Sequence, residues 1–292
     1  MQLNESFREG LLEFIRRTST ELPDDVVRAL AHARAQETPS SSAENALKTL
    51  QQNIELSKAR SSPICQDTGT IIFYVDHPLG VSTLALRKMI GDAVAEATAK
   101  SYLRPNAVDS LSGKNSGNNL GRDFPVVHFE EWEKNYLQMR LMLKGGGCEN
   151  VGAQYSLPNT ALGADRDLPG IKKVILDAVY RAQGQGCAPG ILGVGIGGDR
   201  STSYVLSKKQ FFRNLEDRNP NPLLAELEDE MLAKANQLGI GPMGFGGKTT
   251  LLGVKADWGH RLPASFFVSI SYMCWADRRR TMVFHDGKAE IE

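Results

Sequence analysis

A thiol, an amide and a carboxylate stand consecutively at Cys65, Gln66 and Asp67, within the stretch SSPICQDTGTIIFYV that runs from Ser61 to Val75. A thiolate is a soft metal ligand, and a carboxyl group two residues away can give or take a proton beside whatever that metal holds. Pro63 disfavours helix at Ser62 and has no backbone N–H to donate, while Gly69 permits a turn before the β-rich run Thr70–Val75. The spacing therefore predicts a constrained loop feeding a strand, a good mount for a fixed ligand and acid. A buried free cysteine beside a solvated aspartate would carry the same letters, since free cysteine is among the most buried residue types. Two other cysteines occupy comparable contexts, Cys187 in GQGCAPG and Cys274 in SYMCWA.

The elements that must position these residues alternate along the chain. Leu3, Phe7, Leu11, Phe14 and Ile15 recur at helical spacing. A second helix is expected after Pro23, with Asp24 and Asp25 at the positive end of its dipole, and a third after the capping pattern Ser41 to Glu44, with Leu47, Leu50 and Ile54 on one side. That helix delivers the chain to Cys65. Past the Thr70–Val75 strand, Ser82 to about Lys100 is amphipathic, and SLSGKNSGNNLGRD is almost wholly turn-forming, so it is either a flexible surface loop or one that approaches a ligand. Strands are expected at Pro125–Glu130 and Tyr136–Leu143, the second ending in KGGGCEN, whose three glycines would let backbone N–H groups approach an anion; a tight turn would need only one or two of them. Further helices are expected over Gly170–Gln183, near Ser207–Asn214 and from Leu223 to Leu238. The loop GIGPMGFGGKTT then has the character of an active-site rim, and Ala264–Met273 that of a strand. The basic triplet Arg278–Arg280 is expected on a solvated face.

With 292 residues, 41% of them hydrophobic and 23% charged, the chain has material for a large core, as one domain or two lobes. Basic and acidic residues balance at 34 each, so nothing draws it toward nucleic acid or acidic lipid. No run approaches the roughly 20 apolar residues that cross a bilayer, and the glutamates of the N-terminal helix suit neither a signal nor a transit peptide; a cytoplasmic protein is expected. Four widely spaced cysteines without a CxxC pair speak against a small zinc module or a disulfide framework, leaving reduced thiols as the default.

Two local motifs fail on context. Gly193–Gly198 satisfies G-x-G-x-x-G with Glu216 downstream, but Pro189 and Gly190 leave only Ile191 and Leu192 before its first glycine and no βαβ alternation opens the chain. GGKTT resembles a P-loop ending, but Pro242 stands where that motif needs glycine.

The cysteine loops together with LRPNAV, GKNSGNN, the KGGG turn, GVGIGG and GIGPMGFGGKTT resemble the iron–sulfur hydro-lyases of the class I fumarate hydratase and tartrate dehydratase family, in their α subunit or N-terminal catalytic region. The resemblance covers nearly the whole chain. It implies an α+β catalytic domain over residues 1–292 in two closely packed lobes. It further implies a [4Fe–4S] cluster held by Cys65, Cys187 and Cys274, with one iron open to act as a Lewis acid on substrate. Asp67 looks like the acid that protonates the departing hydroxyl, and Gln66 like a substrate hydrogen-bond donor. Arg104 is similar to an arginine that pairs with a substrate carboxylate, and Gly146 or Gly147 would offer a backbone N–H. Cys148 is read as a non-ligand thiol close to the site. The second domain of longer family members, with its anion-binding residues and candidate base, is expected from a β-subunit partner in an α2β2 heterotetramer.

Fumarate to malate is the first substrate expectation, and L-tartrate to oxaloacetate the alternative, because a cysteine in the GGGC turn is associated with tartrate-type chains. Two rivals come from other classes. A zinc-binding structural subunit would use the three cysteines with one of His77, His128, His260 or His285, and a nicotinamide-dependent oxidoreductase would use Gly193–Gly198.

Overall fold

The computed structural model describes residues 4–292; Leu3, counted in the first helical pattern, lies outside them. Helix α1 (Glu5–Thr20) starts where Asn4 accepts the Phe7 N–H and buries Phe7, Leu11, Phe14 and Ile15. Helix α2 (Asp24–Gln36) follows Pro23 with Asp24 and Asp25 in its first turn, and α3 (Ser42–Arg60) begins where the Ser41 hydroxyl accepts the Glu44 N–H at 3.1 Å. Strand β1 (Thr70–Pro78), helix α4 (Thr83–Ala99, capped by Ser82) and strands β2 (Val126–Trp132) and β3 (Leu137–Lys144) come next. Then follow the short helix α5 (Gly146–Asn150), β4 (Ala153–Ser156), α6 (Leu168–Ala182), β5 (Gly190–Ile196), α7 (Arg200–Lys209) and α8 (Pro222–Gln237). The chain closes with β6 (Leu251–Trp258), β7 (Phe267–Met273), β8 (Arg278–His285) and β9 (Lys288–Ile291). The architecture is α+β.

These elements form two compact units, each discontinuous in sequence. The first takes the residues up to Pro23, Gln52–Gly146 and Arg278–Glu292; the second takes Asp24–Gln51 and Gly147–Asp277. Two of the divisions fall inside α3 and α5, the second of them within the glycine triplet.

In the first unit a five-stranded sheet has the order β2-β1-β3-β8-β9, with β1 parallel to β2 and antiparallel to β3. Period-two alternation puts Ile71, Phe73 and Val75 of β1 beside Leu137, Met139, Leu141 and Leu143 of β3 in one core with Phe7, Leu11 and Phe14 of α1 and Ile90 and Val94 of α4. Each such fully buried side chain contributes about 2 kcal/mol of transfer free energy. The second unit has a four-stranded sheet of order β4-β7-β5-β6, with α7 packed on β5 and β7 and α8 on β6.

The fold corrects three expectations. Arg278, Arg279 and Arg280 are 1%, 5% and 8% exposed and open strand β8, so the basic triplet is buried. The helix expected near Ser207 starts a full two turns earlier, because Asp199 caps it through the Thr202 N–H. The glycine triplet does not form a free nest: Gly146 and Gly147 are the first residues of α5. The GVGIGG run is mostly strand interior, where a Cβ on Gly193 or Gly195 would fall 2.1 Å from the Ser207 or Ser203 carbonyl of α7. Those two glycines bring a helix backbone onto a strand, which accounts for them without a dinucleotide. Among the described residues no helix is long and apolar enough to cross a membrane.

Candidate functional site

In the first unit, the Cys65–Gly69 loop is gripped along its length. The Asp67 carboxylate accepts the Gly69 N–H on Oδ1 at 2.8 Å and the Gly146 N–H on Oδ2 at 2.6 Å. Its own N–H points at Cys65 Sγ, 3.4 Å away, and its carbonyl accepts from the Arg278 guanidinium at 2.9 Å. Gly69 has φ +77, and a Cβ there would meet the Lys144 carbonyl group at 2.4 Å, so only glycine lets this loop lie against the end of β3. Gln66 is exposed, with its Oε1 3.7 Å from the Cys65 thiol.

The turn-forming stretch after Arg104 is ordered by buried side chains. Asn119, 1% exposed, accepts the Asn106 and Ala107 N–H groups at 2.9 and 3.1 Å and donates to Thr98 Oγ1 and the Arg104 carbonyl. Thr68 is tied to both the N–H and the carbonyl of Arg104, and its own N–H reaches Asn106 Oδ1. The result is a cavity of about 1050 Å³ lined by Asp67, Gly69, Asn106, Asn115, Lys114 and Gly146 among others. The stretch thus lines a cavity while most of its residues stay exposed. Lys114 and Arg122 give the wall positive charge, against Asp67, Asp109 and Asp123. The Arg104 side chain is exposed, and only its backbone is anchored.

In the second unit, Cys187 (φ +56) sits between Gly186 and Gly190, and Tyr272 fills the space that side chains at those glycines would take: a Cβ would fall 2.5 Å and 2.3 Å from its ring. Burial pushes the Tyr272 hydroxyl well above its ordinary pKa, and the neighbouring Cys274, Cys148 and Cys187 thiols add to the effect. The Trp275 N–H donates to the Cys187 carbonyl at 3.3 Å, joining the two loops directly, and the Cys274 thiol points to the Ala276 carbonyl. Cys148 is 2% exposed, whereas Cys65, Cys187 and Cys274 are half-buried, and none of the four is in a disulfide.

The structure thus brings Cys65, Gln66, Asp67 and Gly146 together in the first unit, and Cys187 with Cys274 in the second. Gly146, expected to face an anionic ligand, has its N–H taken by Asp67. Among the described residues, no three His, Cys, Asp or Glu side chains are gathered as a ready metal site. The donor chemistry of Cys65, Cys187 and Cys274 nonetheless fits an iron–sulfur cluster: three reduced thiols on short restrained loops, each partly open. Of the histidines weighed as zinc ligands, His77 and His128 pack against Phe129 and Tyr74 in the first sheet, and His285 pairs with Asp286. Sequence reasoning missed Thr68, Asn119, Tyr272 and Arg278. For Asn119 a signal existed in a turn residue tolerant of φ > 0, but nothing local announces burial of the others.

Comparison with known proteins is consistent across the chain. The family model described as fumarate hydratase (fumerase) matches residues 8–283. A protein of Geobacillus stearothermophilus named "Putative fumarate hydratase class I" is 53% identical over 290 residues, covering 98% of this chain and 56% of its own length. The chain therefore spans little more than half of that relative. The L(+)-tartrate dehydratase subunit alpha of Escherichia coli K12 is 34% identical over 279 residues, covering 95% of this chain and 90% of its own length.

Proposed function

Because this chain belongs to the fumarate hydratase family, we propose that it is the iron–sulfur catalytic portion of a hydro-lyase that reversibly adds water to fumarate to give malate. The observation that carries the reading is the Asp67 carboxylate, fixed through both oxygens at the wall of a large cavity and two residues from a half-buried thiol. Cys65, Cys187 and Cys274 would hold a [4Fe–4S] cluster. Such a cluster, when bound, supplies a Lewis acid for a substrate carboxylate and hydroxyl.

The chain's own groups do the rest. Asp67 takes a proton from the incoming water in hydration and returns it to the departing hydroxyl in dehydration, and its main-chain bonds hold it in position for both. Gln66, exposed, and Arg104, exposed on anchored backbone, bind the substrate's polar ends, Arg104 by the bidentate geometry a carboxylate prefers. The Gly147 N–H remains a further donor, and Gly146 acts through Asp67. Residues 1–292 act as one catalytic domain, and the remaining groups, including the base at carbon, come from a β subunit in an α2β2 assembly.

The higher identity to the fumarate hydratase relative favours fumarate, while the near full-length match to tartrate dehydratase α subunits favours a two-subunit enzyme and keeps tartrate as the second reading. The test compares fumarate hydration with tartrate dehydration on anaerobically reconstituted complex. Fumarate turnover that falls about 10³-fold in Asp67→Asn is expected, since the amide cannot exchange the proton and would set its NH2 against the Gly69 or Gly146 N–H. Turnover of tartrate alone would replace the substrate, and undiminished Asp67→Asn activity would remove Asp67 from the chemistry.

A further inference from the structure

The end of the GIGPMGFGGKTT loop has the composition of a turn that grips an anion, and the anion it grips belongs to the chain itself. Glu37, just past the end of α2 and 5% exposed, lays its carboxylate on this turn. Both of its oxygens accept the Lys248 N–H at 3.0 Å, and Oε1 also accepts the Thr249 N–H at 2.9 Å. Lys248 Nζ turns back to the Gln36 carbonyl at 2.8 Å. Gly247, at φ +132, makes the approach possible, since a Cβ there would fall 2.9 Å from Glu37 Oε2 and from Ala43 Cβ.

The same loop holds the Cys187 turn from both sides. The Met243 N–H donates to the Ala188 carbonyl at 2.8 Å, and the Thr250 carbonyl accepts the Gly190 N–H at 3.0 Å. Gly184, three residues before Cys187, lies so close to Gly244 that a Cβ would come within 2.7 Å of its Cα. A carboxylate this deeply buried is stable only while its hydrogen-bond partners remain in place.

We infer that Glu37 is a positioning residue for Cys187: its carboxylate fixes residues 247–249, and the loop they close fixes the backbone on either side of that thiol. The inference rests on the reading of Cys187 as a cluster ligand only for its consequence, not for the mechanical link.

The link is tested by amide hydrogen exchange on the anaerobically prepared protein and its Glu37→Gln and Glu37→Ala variants, with iron and sulfide release in air followed in parallel. Exchange is expected to rise about ten-fold at residues 243–250 and also at 186–190, with the first-unit strand β1 unchanged, and iron to leave correspondingly faster. Glu37→Gln keeps one acceptor oxygen and the shape of the side chain, so it carries the comparison if Glu37→Ala does not fold. Exchange raised at Lys248 and Thr249 while 186–190 keeps the wild-type rate would overturn the inference. Wild-type protein that holds no iron would refute the cluster reading, and the exchange data would still decide whether Glu37 governs the Cys187 turn.

Discussion

In the first unit the loop bearing Asp67 is held by side-chain amides and hydroxyls, those of Asn119, Asn106 and Thr68, around an open cavity. In the second unit the loop bearing Cys187 is held by backbone: glycines pressed against a tyrosine ring, main-chain bonds to a neighbouring loop, and one buried carboxylate behind it. The difference suits the tasks. A pocket that admits a polar substrate needs polar walls and room, whereas a loop that presents a thiolate to an inorganic group needs an unyielding backbone and no bulk nearby. The second design should tolerate substitution least.

Gly190→Ala puts a methyl group 2.3 Å from Tyr272 Cζ, against a ring in a packed core, and should cost about 3 kcal/mol together with iron content. Thermal melting and iron analysis check it, and a well-folded, fully loaded Gly190→Ala protein would erase the contrast. Asn119→Ala removes both acceptor and donor from four partners and leaves alanine at φ +58, for a loss of about 2 kcal/mol. That change should raise KM for substrate more than it lowers iron content, because the Cys65–Gly69 loop is also held by Gly146 and Arg278 while the cavity wall rests on Asn119. Iron loss in Asn119→Ala as large as its effect on KM would merge the two designs into one.

The smallest effect expected is electrostatic. In the second unit burial alone would push the Asp217 carboxyl up, but Arg213 and Lys255 outweigh it and hold it below the usual carboxylate range. In the first, the hydrogen bond from Arg16 holds Glu13 down against its burial. A depressed folded pKa means stability that is present above the ordinary carboxylate value and lost as pH falls through the folded one. Each group is partly exposed, so each is worth less than about 1 kcal/mol. Denaturant midpoints measured from about pH 6 down to about pH 3 should fall less steeply in Asp217→Asn than in wild type, and an unchanged slope would assign Asp217 no role.

The same contrast explains what was legible beforehand. Helix starts at Ser41, Ser82 and Pro23, the strand after Gly69 and the Cys65–Asp67 triplet could all be found because capping, proline and alternation act within a few residues. Strand β6 was missed in LLGVKADW, where Lys255 is buried against Asp217, and β8 behind a basic triplet taken for surface. Glu37 reaches its partners across 211 residues, and Tyr272 reads only as an apolar strand residue. Their roles depend on tertiary contacts that no local pattern encodes.

The central claim is the cluster, and counting iron and acid-labile sulfide in anaerobically purified protein and in Cys187→Ala tests it most directly. About four of each per chain is expected in wild type, with loss of both in the variant. One zinc per chain with no sulfide, or a full complement retained by Cys187→Ala, would contradict it.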